Sequence, residues 1–151
     1  MYQEVLEAGL QPGQSLESLE KIELMVDSSA QNMQLIGELL SVGMPLTQLR
    51  LNGSKIATLR DMGTSYKHLQ VLWISRCRLT DLDGLSCLPL IEEVYASYNL
   101  ITHVTGGDEL TTLDVEGNQI SDVKQNIICL SCCDKLVSLN MLDNDIDMDD
   151  L

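Results

Sequence analysis

The stretch LTQLRLNGSKI, residues 46–56, decides the fold, because its pattern of apolar residues returns along the rest of the chain. Its first, fourth, sixth and eleventh positions are Leu46, Leu49, Leu51 and Ile56. The same spacing recurs in LQVLWISRCRL (69–79), IEEVYASYNLI (91–101), LTTLDVEGNQI (110–120) and LVSLNMLDNDI (136–146). Similar units that follow one another along a chain predict similar coils stacked in a row.

The spacing inside each unit is that of the leucine-rich repeat. A weaker unit begins at Leu19 and continues with Ile22 and Leu24, so the units start at residues 19, 46, 69, 91, 110 and 136. We therefore predict an α/β fold, a leucine-rich repeat solenoid with a parallel sheet on its concave side. It would contain five clear repeats and one degenerate N-terminal repeat.

The residue at the ninth position of each repeat predicts how the backbone polar groups of the buried turns form hydrogen bonds. It is Asn in the last three repeats, at Asn99, Asn118 and Asn144, and these amides can bond backbone groups of neighbouring coils. Ser54 and Cys77 interrupt this row at its N-terminal end. The repeat that begins at Ile91 has only 19 residues before the next start, which is too short for a helix on the return side.

The sequence divides into two parts. Residues 1–45 form an N-terminal segment with the degenerate repeat and a capping helix, which the apolar spacing predicts over 29–43. Residues 46–151 contain the clear repeats.

Composition narrows the functional classes. The formal charge is −14, which disfavours binding to nucleic acid and to anionic membranes and leaves a protein partner. Five cysteines, two of them adjacent, do not form a disulfide framework, and no secretory signal or membrane span is visible. We expect a cytoplasmic protein.

Motifs of catalysis and metal binding are weak. Cys129, Cys132 and Cys133 contain a CxxC pair, which leaves a metal or thiol-redox protein as an alternative, but the second half of a zinc site is missing. The run Asp143-Asn144-Asp145-Ile146-Asp147 matches only the first half of a calcium loop. No nucleophile–base pair is recognisable, so we predict no enzyme, no cofactor and no metal.

The outward strand positions predict a partner-binding face. Position five of successive repeats holds Glu23, Arg50, Trp73, Tyr95, Asp114 and Asn140, and positions seven and eight add Arg76, Tyr98, Glu116 and Asp143 among others. The only tryptophan and two of the four tyrosines thus lie on one face of a chain with 3% aromatic residues. Trp, Tyr and Arg dominate interface energetics. The predicted site consists of Arg50, Trp73, Arg76, Tyr95, Tyr98, Asp114 and Glu116.

The repeat type resembles the short cytosolic leucine-rich repeats of the phosphatase-regulator class. Within residues 49–101 and beyond, the segments LNGS, LRDMGTS, LQVLW, RCRLTDLDGL, YASYN and LDVEGN resemble the family of leucine-rich repeat-containing protein fifty-six. That resemblance implies a non-enzymatic adaptor in assembly or transport of outer dynein arms in cilia and flagella, with dynein-arm or intraflagellar transport factors as partners. Functions that the family houses in a long region after its repeats are not implied. The alternative is a phosphatase-regulator-like scaffold of the cytosol or nucleus.

Overall fold

A computed structural model describes residues 21–25, 46–147 and 149. Six short strands lie in this part of the chain: β1 (Lys21–Glu23), β2 (Gln48–Arg50), β3 (Val71–Trp73), β4 (Glu93–Tyr95), β5 (Thr112–Asp114) and β6 (Ser138–Asn140). They pair in parallel and in chain order. The predicted parallel sheet of a leucine-rich repeat solenoid is confirmed, and the degenerate repeat supplies β1. The predicted capping helix over 29–43 lies outside the described residues.

The core lies behind this sheet and is built from the repeated apolar positions. Strand side chains alternate between the two faces, so the middle residue of each strand points inward. These middle residues are fully buried from β2 to β5, where they are Leu49, Leu72, Val94 and Leu113. In β6 the equivalent Leu139 is 42% exposed, because no further coil of the described chain packs against it.

The return segments differ in structure from coil to coil. Two 3₁₀ helices, Leu59–Met62 and Asp83–Cys87, occupy the second and third returns. An α-helix, α1 (Val123–Leu130), follows β5 and is capped by the Asp122 carboxylate, which accepts a hydrogen bond from the Gln125 backbone N–H. The return after β4 contains no helix between residues 100 and 111, as its length predicts. None of the described helices has the length and apolar character needed to cross a membrane.

The predicted asparagine row is confirmed. Asn99 Oδ1 accepts hydrogen bonds from the N–H groups of Cys77 and Leu79 in the preceding coil, at 2.8 and 3.0 Å. Its Nδ2 donates to the carbonyls of Ile74 and Ala96, both at 2.9 Å. Asn118 and Asn144 make equivalent bonds one and two coils further on. Each amide therefore ties two successive coils together.

Cys77 continues part of this row with a thiol. Its Sγ donates to the Leu51 carbonyl at 3.1 Å, the same position in the preceding coil that the asparagine amides reach. A thiol offers no amide oxygen for the Ile56 N–H, which instead donates to the Cys77 carbonyl at 3.0 Å. The backbone thus takes over the bond that the ninth side chain lacks.

Candidate functional site: the concave sheet face

The concave face has the register that the repeats predict. Residues of position five lie opposite one another from strand to strand: Glu23, Arg50, Trp73, Tyr95, Asp114 and Asn140. Arg76, Tyr98 and Glu116 follow directly after their strands, on the same side. The structure therefore brings all the predicted site residues onto one continuous surface, and their role in binding stays a prediction.

The centre of this surface is a stack of rings and cations. The rings of Trp73 and Tyr95 are stacked, with centroids 5.8 Å apart and an interplanar angle of 12°. The Arg50 guanidinium carbon lies 5.0 Å from the Trp73 ring centroid, and Lys21 Nζ lies 4.9 Å from it. Strand order places these two cations on one side of Trp73 and Tyr95 on the other. The indole is held in one orientation by neighbours from three strands.

A second stack lies at the ends of the strands. The Arg76 guanidinium carbon is 4.4 Å from the centroid of the Tyr98 ring. The Tyr98 hydroxyl donates to Glu116 Oε1 at 3.0 Å, and Asn140 Nδ2 donates to the other oxygen of that carboxylate at 2.9 Å. A side chain at Gly117 would begin 2.4 Å from the Tyr98 ring, so the absence of a side chain there leaves room for the ring.

The backbone under the second stack is left-handed. Position eight has positive φ in five successive coils, at Gly53, Arg76, Tyr98, Gly117 and Asp143. Glycine adopts this conformation readily, whereas other L-residues do so at a steric cost. Arg76 (φ 57°) and Tyr98 (φ 55°) bear that cost side by side, and each contributes a side chain to the stack. Asp143 (φ 53°) has the same conformation outside the stack, so the left-handed backbone belongs to the turn of each repeat.

The half-buried Tyr95 and the exposed Tyr98 both donate a hydrogen bond to a carboxylate. The Tyr95 hydroxyl donates to Glu93 Oε2 at 2.5 Å, and this bond to a carboxylate, with partial burial, raises the pKa of Tyr95 to about 12. The bond to Glu116 likewise raises the pKa of Tyr98. Neither phenol carries charge near neutral pH, so the face keeps one charge pattern there.

That charge pattern runs across the strands. The cations Lys21, Arg50 and Arg76 lie at β1 to β3, where Glu23 is the one carboxylate of the described face. The carboxylates of Glu93, Asp114 and Glu116 lie at β4 and β5. Asp114 Oδ1 accepts from the Glu116 N–H at 3.0 Å, which fixes one of these carboxylates against the backbone.

Lys21 and Glu93 are members of the site that the sequence reasoning missed. Both occupy position three of their repeats. The residues at this position lie side by side across the first four strands, in the order Lys21, Gln48, Val71 and Glu93. The repeat pattern could have indicated both residues, because side chains alternate along a strand and positions three and five therefore lie on the same face.

The cysteines form no comparable site. Cys129 is half-buried, Cys132 exposed and Cys133 buried, and all are free. Cys129 lies near the C-terminal end of α1, whereas an activated thiolate is favoured at a helix N-terminus. Burial raises the pKa of the Cys133 thiol, which disfavours its reactive form. The described residues contain no group of three or more His, Cys, Asp or Glu that could hold a metal ion.

Comparison with known proteins agrees with the repeat structure. The Leucine Rich Repeat family model matches residues 68–88. An internalin from Listeria monocytogenes, InlF, superimposes with a TM-score of 0.55 at 15% identity, over 87% of this chain and 44% of its own. The chain therefore has the fold of the leucine-rich repeat proteins.

More specific similarity comes from sequence relatives. Leucine-rich repeat-containing protein 56 of Homo sapiens is 47% identical over 102 residues, which cover 66% of this chain and 19% of the human protein. The leucine-rich repeat-containing protein 56 homolog of Trypanosoma brucei brucei is 42% identical over 91 residues, covering 56% of this chain and 12% of that protein. The chain thus spans less than a fifth of the length of these two relatives. Leucine-rich repeat proteins are generally non-enzymatic binding scaffolds.

Proposed function

We propose that this chain is a non-enzymatic adaptor that holds a protein segment on its concave face and acts in assembly or transport of outer dynein arms in cilia and flagella. The single observation that carries the binding role is the stack of Arg50, Trp73 and Tyr95 across three strands. A protein with 3% aromatic residues places its only tryptophan there, half-buried. Rigid aromatic and arginine side chains are the usual anchors of protein interfaces.

The ciliary part of the proposal has a separate basis. It is supported by the resemblance of residues 49–101 to a family with that role and by homologues named leucine-rich repeat-containing protein 56. The partners would be dynein-arm assembly or intraflagellar transport factors, met in the cytoplasm and in the cilium or flagellum.

The test is a tagged pull-down from flagellated cells, with captured proteins identified by mass spectrometry. Wild type is compared with Trp73→Ala/Tyr95→Ala, which removes the stacked rings from the surface and leaves the core unchanged. A matched control, Leu90→Ala/Leu100→Ala, removes two apolar side chains that are each 42% exposed outside the strand rows. Circular dichroism checks that all variants are folded.

We expect dynein-arm or transport proteins with wild type and the control, and their loss with the ring variant. Ciliary proteins captured equally by the ring variant would rule out the concave face as the site. Capture of a phosphatase catalytic subunit in place of ciliary proteins would support the phosphatase-regulator alternative.

A further inference from the structure

Three of the nine basic residues of the chain, Lys21, Arg50 and Arg76, lie on the concave face and form no ion pair with another described residue. Within the described residues, ion pairs join Arg60 to Asp83 and Lys135 to Glu109, and His103 Nε2 hydrogen-bonds to Asp83. None of them includes Lys21, Arg50 or Arg76, although the chain holds 23 acidic residues. We call these three residues the basic end of the face. Cations left unpaired in so acidic a protein are available to an external anion.

The basic end is preorganised by the rings. Arg50 and Lys21 lie over Trp73, and Arg76 lies over Tyr98. When a guanidinium stacks on a ring, its N–H groups point outward from the edge of the stack, and a carboxylate can accept hydrogen bonds from them there. Because the cations are already held in place, binding loses less side-chain freedom than it would on a flexible surface.

Arg50 also has an unmet donor. Its Nε is buried and has no hydrogen-bond partner among the described residues. Because this Nε is shielded from solvent, an external carboxylate would have to bond the terminal amino groups of the guanidinium, and such a bond is charge-assisted.

The carboxylates on the face accept hydrogen bonds from other groups or form no ion pair with the basic end. Glu93 accepts from the Tyr95 hydroxyl, and Glu116 accepts from Tyr98 and Asn140. Glu23 lies in register with Arg50, but it is exposed and makes no ion pair with it. No carboxylate of the described residues therefore forms an ion pair with Arg50.

We infer that the basic end binds carboxylate side chains of an acidic segment of a protein partner, an inference that rests on the proposed function of the concave face. Such a segment would cross β1 to β3 and end before β5, since Asp114 and Glu116 repel further acidic residues there. A long polyanion such as nucleic acid would run across these carboxylates and meet the net charge of −14. The face therefore selects a short acidic stretch followed by neutral or basic residues.

The probe is a fluorescently labelled peptide of alternating Glu and Gly, compared with the same peptide in which Gln replaces Glu. Binding to the whole chain is followed by fluorescence anisotropy at low ionic strength, and the emission of Trp73 reports on the site. The net charge of the protein repels the acidic peptide, so general electrostatic attraction cannot produce binding. Saturable binding would therefore come from a local basic site.

We expect the Glu peptide to bind at least about tenfold more tightly than the Gln peptide, because charge-assisted bonds are lost in the latter. Arg50→Gln/Arg76→Gln should weaken binding of the Glu peptide by about tenfold or more. The control Arg60→Gln/Arg78→Gln removes the same formal charge from two exposed arginines outside the basic end and should bind like wild type. Equal binding of the two peptides, or equal loss in both double variants, would overturn the inference.

This result is separable from the pull-down. If Trp73→Ala/Tyr95→Ala loses its partners but Arg50→Gln/Arg76→Gln still captures them, the face binds protein and the preference for acidic segments is wrong. If the peptide binds as expected and no ciliary protein is captured by wild type, the basic end stands and the ciliary role fails.

Discussion

At the scale of single residues, the Asn99 side chain forms hydrogen bonds with the backbone of two successive coils. Its amide bonds five backbone groups, four of them at 3.0 Å or less, and the residue is 5% exposed, so water cannot replace these bonds. Asn99→Ala should lower the free energy of unfolding by about 3 kcal/mol or more, since each buried group left unpaired costs about 1–3 kcal/mol.

The matched control is Asn144→Ala, which removes the same position at the last described coil. Asn144 is half-buried, so water can reach part of its backbone partners. Its loss should cost about 1 kcal/mol, the usual net worth of a hydrogen bond. Urea unfolding of both variants measures the two free energies of unfolding. Equal losses would show that burial does not decide how much each asparagine of the row stabilises the protein.

Tyr95 gives the protein a pH dependence in the alkaline range. Its pKa is raised from the ordinary 10.0 to about 12 by the bond to Glu93, so the folded state favours the protonated phenol. The resulting stabilisation is complete below pH 10 and is lost as the pH rises from there through about 12. Ultraviolet titration of tyrosinate should show late ionisation, and Tyr95→Phe should remove one late component.

Glu93→Gln is the control for the cause of this shift. It keeps an acceptor for the Tyr95 hydroxyl and removes the negative charge, so the Tyr95 titration should move back toward pH 10.0. A titration unchanged in Glu93→Gln would contradict the role of the carboxylate.

At the scale of elements, the two 3₁₀ helices pack through a glycine. A side chain at Gly84 would begin 2.5 Å from the backbone of both Leu59 and Arg60, which belong to the neighbouring helix. Backbone atoms cannot move aside as a flexible side chain would. Gly84→Ala should therefore destabilise the protein by about 1–3 kcal/mol, the usual cost of overpacking.

Gly107 supplies the matched control for that substitution. A side chain there would meet nothing within 4 Å, and its backbone is not left-handed. Gly107→Ala should be neutral or stabilising by about 0.4–1 kcal/mol, through the lower entropy of the unfolded chain. Thermal unfolding of the two variants compares them directly, and a stable Gly84→Ala would mean that the two helices separate without cost.

The repeats show why some elements were predictable and some contacts were not. Leu spacing placed every strand and its inward side, because burial requires the alternation. The row Arg50, Trp73, Tyr95 and Asp114 followed from that register. The pairing of Arg76 with Tyr98 did not, since it depends on positive φ at position eight, which neither residue type signals. Lys21 reaches Trp73 across an intervening strand, and no pairwise pattern in the sequence indicates such a reach.

At the scale of the whole molecule, stability in a solenoid is a sum over coils and the contacts between neighbours. The inward leucines of β5 and β6 occupy the same repeat position but differ in surroundings. Leu113 is fully buried between coils, and Leu139 is 42% exposed. The same substitution at the two positions therefore measures what a second neighbouring coil contributes.

Leu113→Ala should lower the free energy of unfolding by about 2–5 kcal/mol, the cost of a cavity in a packed core. Leu139→Ala should cost less than about 1.5 kcal/mol, because part of the removed surface already faces water and little cavity forms. Denaturant unfolding measures both, and the cost at Leu139 should not depend on protein concentration. Equal costs, or a cost at Leu139 that grows with concentration, would mean that a second molecule covers this end of the sheet in solution.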